Sequence, residues 1–185
     1  MLLAAALMLT AAPMALTAPP VRLDSSLTLV VDPREPAAIR KAAADLANDL
    51  EAVFGKPVRL AARPAEAGAT AICVGFNHNV PPGASRPDTL ETLQIQVFTK
   101  PWPGTPVRAA VWLTGSDMRG TIYAVYEFSH RFLGVDPFYW WTDHAPPRRP
   151  AIEIPAQFSE RQGPPTFRYR GWFINDEDLL GGFAP

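Results

Sequence analysis

Four consecutive polar residues, Asn175-Asp176-Glu177-Asp178, stand directly behind an apolar run at 166–174 (TFRYRGWFI). Three adjacent carboxylates repel one another and are costly to bury, so a strand that turns this acidic is ending at a polar surface. Carboxyl groups placed there are suited to proton transfer. In (β/α) barrels the C-terminal ends of strands carry the catalytic groups. An equally weighted alternative makes Asn175 a helix N-cap, with acids favoured in the first turn by the helix dipole. A calcium loop is the third option, but Asp176 and Asp178 lack the glycine and the later ligands of an EF-hand loop.

A second segment, 114–121 (TGSDMRGT), links an apolar strand to a helix. Backbone N–H groups at a helix N-terminus form an anion site, and Arg119 could clamp a carboxylate with two parallel bonds. The plain alternative is that Ser116 or Asp117 caps the helix while Arg119 pairs with a nearby acid. The spacing is neither G-x-G-x-x-G nor that of a P-loop, and no cofactor or metal motif is present. A third segment, Phe138-Tyr139-Trp140-Trp141 with Asp143 and His144, clusters aromatics. Aromatic faces suit the apolar faces of sugar rings, and Trp141 is a candidate for that role, although such clusters also serve as core packing. His144 has no nucleophile context and reads as a loop residue. The single cysteine, Cys73, lies in an apolar run and reads as a small buried hydrophobe.

The elements that must position these residues follow from periodicity. Residues 26–32 (SLTLVVD) predict a strand. Ile39, Ala42, Ala43, Leu46, Leu50, Val53 and Phe54 share a helical face, which Gly55 ends. Residues 56–60 are a short strand, 69–75 (ATAICVG) a strand apolar on both faces, and 93–99 an alternating strand with one wet face. Residues 109–114 form another buried strand. A second helix over 119–132 is expected to bury Ile122, Val125, Tyr126, Ser129, Phe132 and Leu133. The order β-α-β-β-β-β-α predicts an α/β sandwich, with helices covering a mixed sheet.

Composition narrows the function. The chain has 17 basic and 18 acidic residues, a net charge of −1. That balance argues against nucleic acid or an anionic membrane as partner. The 21 prolines cluster in loops and linkers rather than marking a disordered chain. Residues 1–18 (MLLAAALMLTAAPMALTA) read as a signal peptide, too short and weak for a membrane span, and predict a secreted or periplasmic protein.

Gly115-Ser116-Asp117-Met118-Arg119-Gly120-Thr121-Ile122-Tyr123, then Tyr139-Trp140-Trp141-Thr142-Asp143, then the stretch from Tyr169 to Asp178 (YRGWFINDED) resemble the N-terminal region of glycoside hydrolase family 115. The resemblance covers about residues 24–178. It implies an α/β domain over 24–144, a Pro-rich linker at 145–165 with one short strand near 151–154, and the start of a (β/α)8 barrel at 166–185, its first strand beginning at 166. It further implies Asp176 and Glu177 as catalytic residues, Asn175, Arg119, Asp117 and Trp141 as substrate contacts, and glucuronoxylan or its oligosaccharides as partner. No cofactor, nucleic acid or membrane is implied; a homo-oligomeric full-length enzyme is allowed. Neighbours on a strand point to opposite sides, whereas glycosidases set two carboxyls about 5–9.5 Å apart across the bond. At least one catalytic partner is therefore expected beyond residue 185. The alternative reading is a non-catalytic carbohydrate-binding or accessory module.

Overall fold

A computed structural model of the chain describes residues 18–171. The predicted leader up to residue 17 and the predicted Asn175, Asp176 and Glu177 lie outside the described residues.

Six strands form the main sheet in the order β3-β2-β4-β6-β5-β8. These are β2 (Thr28–Val31), β3 (Arg59–Ala61), β4 (Thr70–Val74), β5 (Leu93–Thr99), β6 (Ala109–Gly115) and β8 (Ser159–Gln162). β2, β3, β4 and β6 run parallel, while β5 is antiparallel to both β6 and β8. A separate two-stranded ribbon pairs β1 (Val21–Leu23) with β7 (Ile152–Ile154). The architecture is thus the α/β sandwich on a mixed sheet that the element order predicts.

Register decides the two faces of the sheet. Leu29, Ile72, Val111 and Val97 lie in one cross-strand row, and all four join the larger apolar core beneath the helices. On the opposite parity Val30, Cys73 and Trp112 align and form a smaller core with Ala67, Ala71, Val107 and Ala110. Cys73 is fully buried, and burial pushes its thiol up, so it behaves as a small hydrophobe.

Helix α1 (Ala37–Phe54) buries Ile39, Ala42, Ala43, Leu46, Leu50 and Val53. Burying each larger side chain in that set contributes about 1.5–3 kcal/mol against exposure. Gly55 ends the helix in the left-handed conformation at φ 74°, its N–H reaching Glu51 O at 2.7 Å. Helix α2 (Met118–Phe128) packs beside α1 on the same side of the sheet. The second face of the sheet is covered by loops, with Trp102, Phe98 and Ala84 packed on its core.

Three expectations need correction. The polar face of β5 is wet only in part: Gln94 is 1% exposed, and its Nε2 reaches Gln96 Oε1 at 2.7 Å, while Gln96 and Phe98 are half-buried. An alternating pattern reports polar side chains, not solvent, and here the chain packs over Gln94. The buried face of α2 consists of Gly120, Thr121, Ala124, Val125 and Phe128, while Tyr126 is exposed. Past Phe128 the helix widens into a π-turn, Ser129–Leu133, closed by Gly134. Val125, Ser129 and Leu133 are buried at the expected spacing, whereas Ile122 and Phe132 are only half-buried. Finally, the Pro-rich stretch 145–165 is hydrogen-bonded into the body. It supplies the expected β7 and an unexpected β8, which extends the sheet by pairing with Leu93–Gln96 of β5. Within the described residues, 166–171 form no strand, and Phe167 and Tyr169 are exposed.

Candidate functional site

Parallel β6 delivers the chain to α2 through Gly115-Ser116-Asp117, at the C-terminal end of the strand, where open α/β sheets place their ligands. The loop before β5 folds back over this turn. Ser116 N–H donates to Thr92 O at 3.0 Å, and Thr92 N–H donates to Ser116 Oγ at 3.1 Å. So close a packing needs glycine: a Cβ on Gly120 would lie 2.4 Å from Thr92 O, and one on Gly115 would lie 2.2 Å from Gly120 C.

Asp117 occupies the helix terminus. Its Oδ1 accepts Gly120 N–H at 2.8 Å and its Oδ2 accepts Glu91 N–H at 2.7 Å. The first turn of α2 therefore holds its own carboxylate, in agreement with the capping alternative. Glu91 sits at φ 56°, a left-handed conformation uncommon for a residue with a side chain. Held there, its carboxylate meets two guanidinium groups. Arg119 Nη1 donates to Glu91 Oε1 at 2.8 Å, and Arg170 Nη2 pairs with Glu91 Oε2 while also reaching the Tyr123 hydroxyl at 3.0 Å. Bonding from Arg170 first, then Arg119, lowers the Glu91 pKa from its ordinary value.

The result is an open groove of about 720 Å³ between the start of α2 and the segment 164–170, bearing Arg119, Arg168 and Arg170 against Glu91 and Asp117. Arg168 also lies 5.5 Å from the ring centroid of the exposed Tyr169. A guanidinium offers five N–H donors, and Arg119, whose side chain is 64% exposed, gives one of them to Glu91. Three cations beside two carboxylates can hold a carboxylate or a polyhydroxylated ring with an acidic substituent.

Of the residues singled out in the sequence, Asp117 and Arg119 come together here. Trp141 does not line this groove; it lies in the short helix α3 (Tyr139–Thr142), 73% exposed, with its ring centroid 5.9 Å from that of Phe138. Glu91 was missed. Its partners stand 28 and 79 residues away, so no local spacing signals it. Among the described residues no group of His, Cys, Asp and Glu is placed to hold a metal, and no helix is long and apolar enough to cross a membrane.

No family model matches the chain, and no curated protein matches it either. Among solved structures it is similar to a family GH115 4-O-methyl-α-glucuronidase with specificity for decorated arabinogalactans. Identity is 27% over 85% of this chain, with a TM-score of 0.67. The chain has a GH115-like fold. It spans 20% of that enzyme's length. A Streptomyces plicatus β-hexosaminidase in complex with GlcNAc aligns over 74% of the chain and 23% of its own, at 15% identity and a TM-score of 0.36, a likeness too distant to carry an argument.

Proposed function

We propose that this chain is the N-terminal part of an exported glycoside hydrolase that removes glucuronic or 4-O-methylglucuronic acid from xylan, and that it does not hydrolyse that substrate by itself. The observation that carries this reading is the structural likeness to the GH115 glucuronidase over 85% of the chain. The Arg119–Arg168–Arg170 groove supports an acidic sugar as substrate class. Asp176 and Glu177 are proposed as catalytic residues and Asn175 as a substrate contact. In the sequence, Arg170 stands five residues before Asn175. Arg119, with Asp117 holding its turn, is the residue proposed to meet the uronate.

A non-catalytic carbohydrate-binding module is the second reading, favoured by the exposed rings of Phe138, Trp141 and Tyr169. Release of glucuronic acid from glucuronoxylan separates the two. The purified 185-residue chain should release none. In a protein extended through a complete catalytic domain, Asp176→Asn or Glu177→Gln should lower turnover on the order of 100-fold, as loss of a positioned acid or base does. Full activity of both variants would return the acidic cluster to a helix cap. Activity of the short chain alone would defeat the fragment reading.

A further inference from the structure

A second cavity, of about 720 Å³, lies away from the arginine groove, between α1, the π-turn and the segment 135–139. Its wall is acidic. Asp45 and Asp49 stand one turn apart on α1, and Asp136, Lys41 and His130 also line it, Lys41 as the countercharge. Asp45 is already satisfied: Lys41 pairs with it, and the Tyr126 hydroxyl donates to its Oδ2 at 2.8 Å. Asp136 Oδ1 accepts Phe138 N–H at 2.8 Å. Asp49 is different. Among the described residues no cation and no N–H group bonds it, and burial, opposed by the nearby Ser129 hydroxyl and reinforced by the charge of Asp45, pushes its pKa up.

The second, independent observation is Ser129. The residue is 3% exposed and lines the cavity, and its Oγ has no hydrogen-bond partner. It stands near enough to Asp49 to favour the ionised carboxylate, but outside bonding geometry. Ser129 is the first residue of the π-turn, and such widenings recur at functional sites. The surrounding groups register the same negative potential. Tyr126 is pushed up to about 12 by burial, then by Asp45, and the Tyr139 hydroxyl is raised by burial, then by Asp49 and Asp45. An anionic ligand would be repelled, and the side chains present are not placed to ligate a metal. A half-buried carboxylate that no cation pairs with, a buried hydroxyl and flanking phenol rings match a compact organic cation, whose N–H groups bond carboxylate and hydroxyl while its face contacts the rings.

We propose that this cavity binds an alkylammonium or guanidinium group, held by the Asp49 carboxylate with the Ser129 hydroxyl accepting a further N–H. The source is either a small free cation or a Lys or Arg side chain of another polypeptide segment. Calorimetric titration of the 185-residue chain with n-butylguanidinium and n-butylammonium should give saturable binding, while n-butanol should not bind. Asp49→Asn should weaken it by about tenfold or more, the loss of one charge-assisted contact, while leaving thermal stability equal or higher. Ser129→Ala should weaken it by a smaller factor. A blocked Gly-Arg-Gly peptide binding much more tightly than n-butylguanidinium assigns the site to a polypeptide side chain; equal affinity assigns it to a free cation. No saturable binding of either cation, binding unaltered by Asp49→Asn, or preferential binding of neutral xylobiose would overturn the proposal. None of these outcomes bears on the glycosidase reading, which rests on other residues.

Discussion

Glu35 is 2% exposed, and one of its oxygens, Oε1, accepts three successive backbone N–H groups: Phe76 at 3.0 Å, Asn77 at 2.9 Å and His78 at 2.8 Å. The carboxylate thus closes the turn that leaves β4 at the C-terminal edge of the sheet and fastens the long loop 76–92 to the start of α1. Glu35→Ala would leave those donors facing a void. A buried donor without a partner costs about 1–3 kcal/mol, but Asn77 is exposed and water can reach it. Removing the carboxylate also recovers its desolvation, and Oε2 has no hydrogen-bond partner to lose. The net expectation is a loss of about 2–4 kcal/mol, dominated by the Phe76 and His78 donors. For a chain of this size that lowers Tm by roughly 5–15 °C. Glu35→Gln keeps an accepting carbonyl without charge, so it should lose about half as much. Urea denaturation with a two-state fit gives the free energy, and amide exchange at Phe76–His78 reports the local opening. A loss below about 0.5 kcal/mol for Glu35→Ala, within the range of a neutral surface change, would refute the reasoning. Stabilisation by Glu35→Gln would show that desolvation outweighs the three bonds.

Two further outcomes follow from charges elsewhere. Glu91→Gln should release the segment 164–171, so trypsin cuts at Arg168 and Arg170 sooner than in the parent chain, and high salt should speed the parent's cleavage by screening the same exposed pairs; unchanged cleavage in both would remove Glu91 from the hinge of this groove. Asp49 has a folded pKa above its ordinary 3.8, so the folded state binds its proton more tightly. Its effect on stability is absent well below that pH and grows unfavourable as pH rises through the folded value. Asp49→Asn should therefore stabilise the chain at neutral pH and leave it unchanged at pH 3, and an equal shift at both would contradict the assigned burial.

How much of this was written in the chain can be judged element by element. The face of α1, the Gly55 stop and the doubly apolar β4 were all legible, because each depends on spacing within one segment and on burial that any partner surface would satisfy. The acidic Asn175–Asp178 cluster stood out for the same reason: its chemistry is contiguous. The buried Gln94, the strand β8 inside a Pro-rich stretch and the rotated face of α2 were not legible. Gln94 looks polar in any alignment of residues with solvent and becomes buried only when loops fold over that side of the sheet. β8 has no apolar pattern of its own and exists because β5 offers an unpaired edge. The face of α2 is turned because Gly120 in its first turn packs against Thr92 and Gly115, which lie outside the helix. Arg119 and Asp117 stand together in one contiguous motif, but their neighbour Glu91 does not, since its charge acquires a meaning only when segments 28 and 79 residues apart converge on it. Periodicity and capping are local and survive in the linear chain; pairing of distant charges, covering of a sheet face and the shape of a cavity are properties of the closed fold, where low solvent access makes such contacts count.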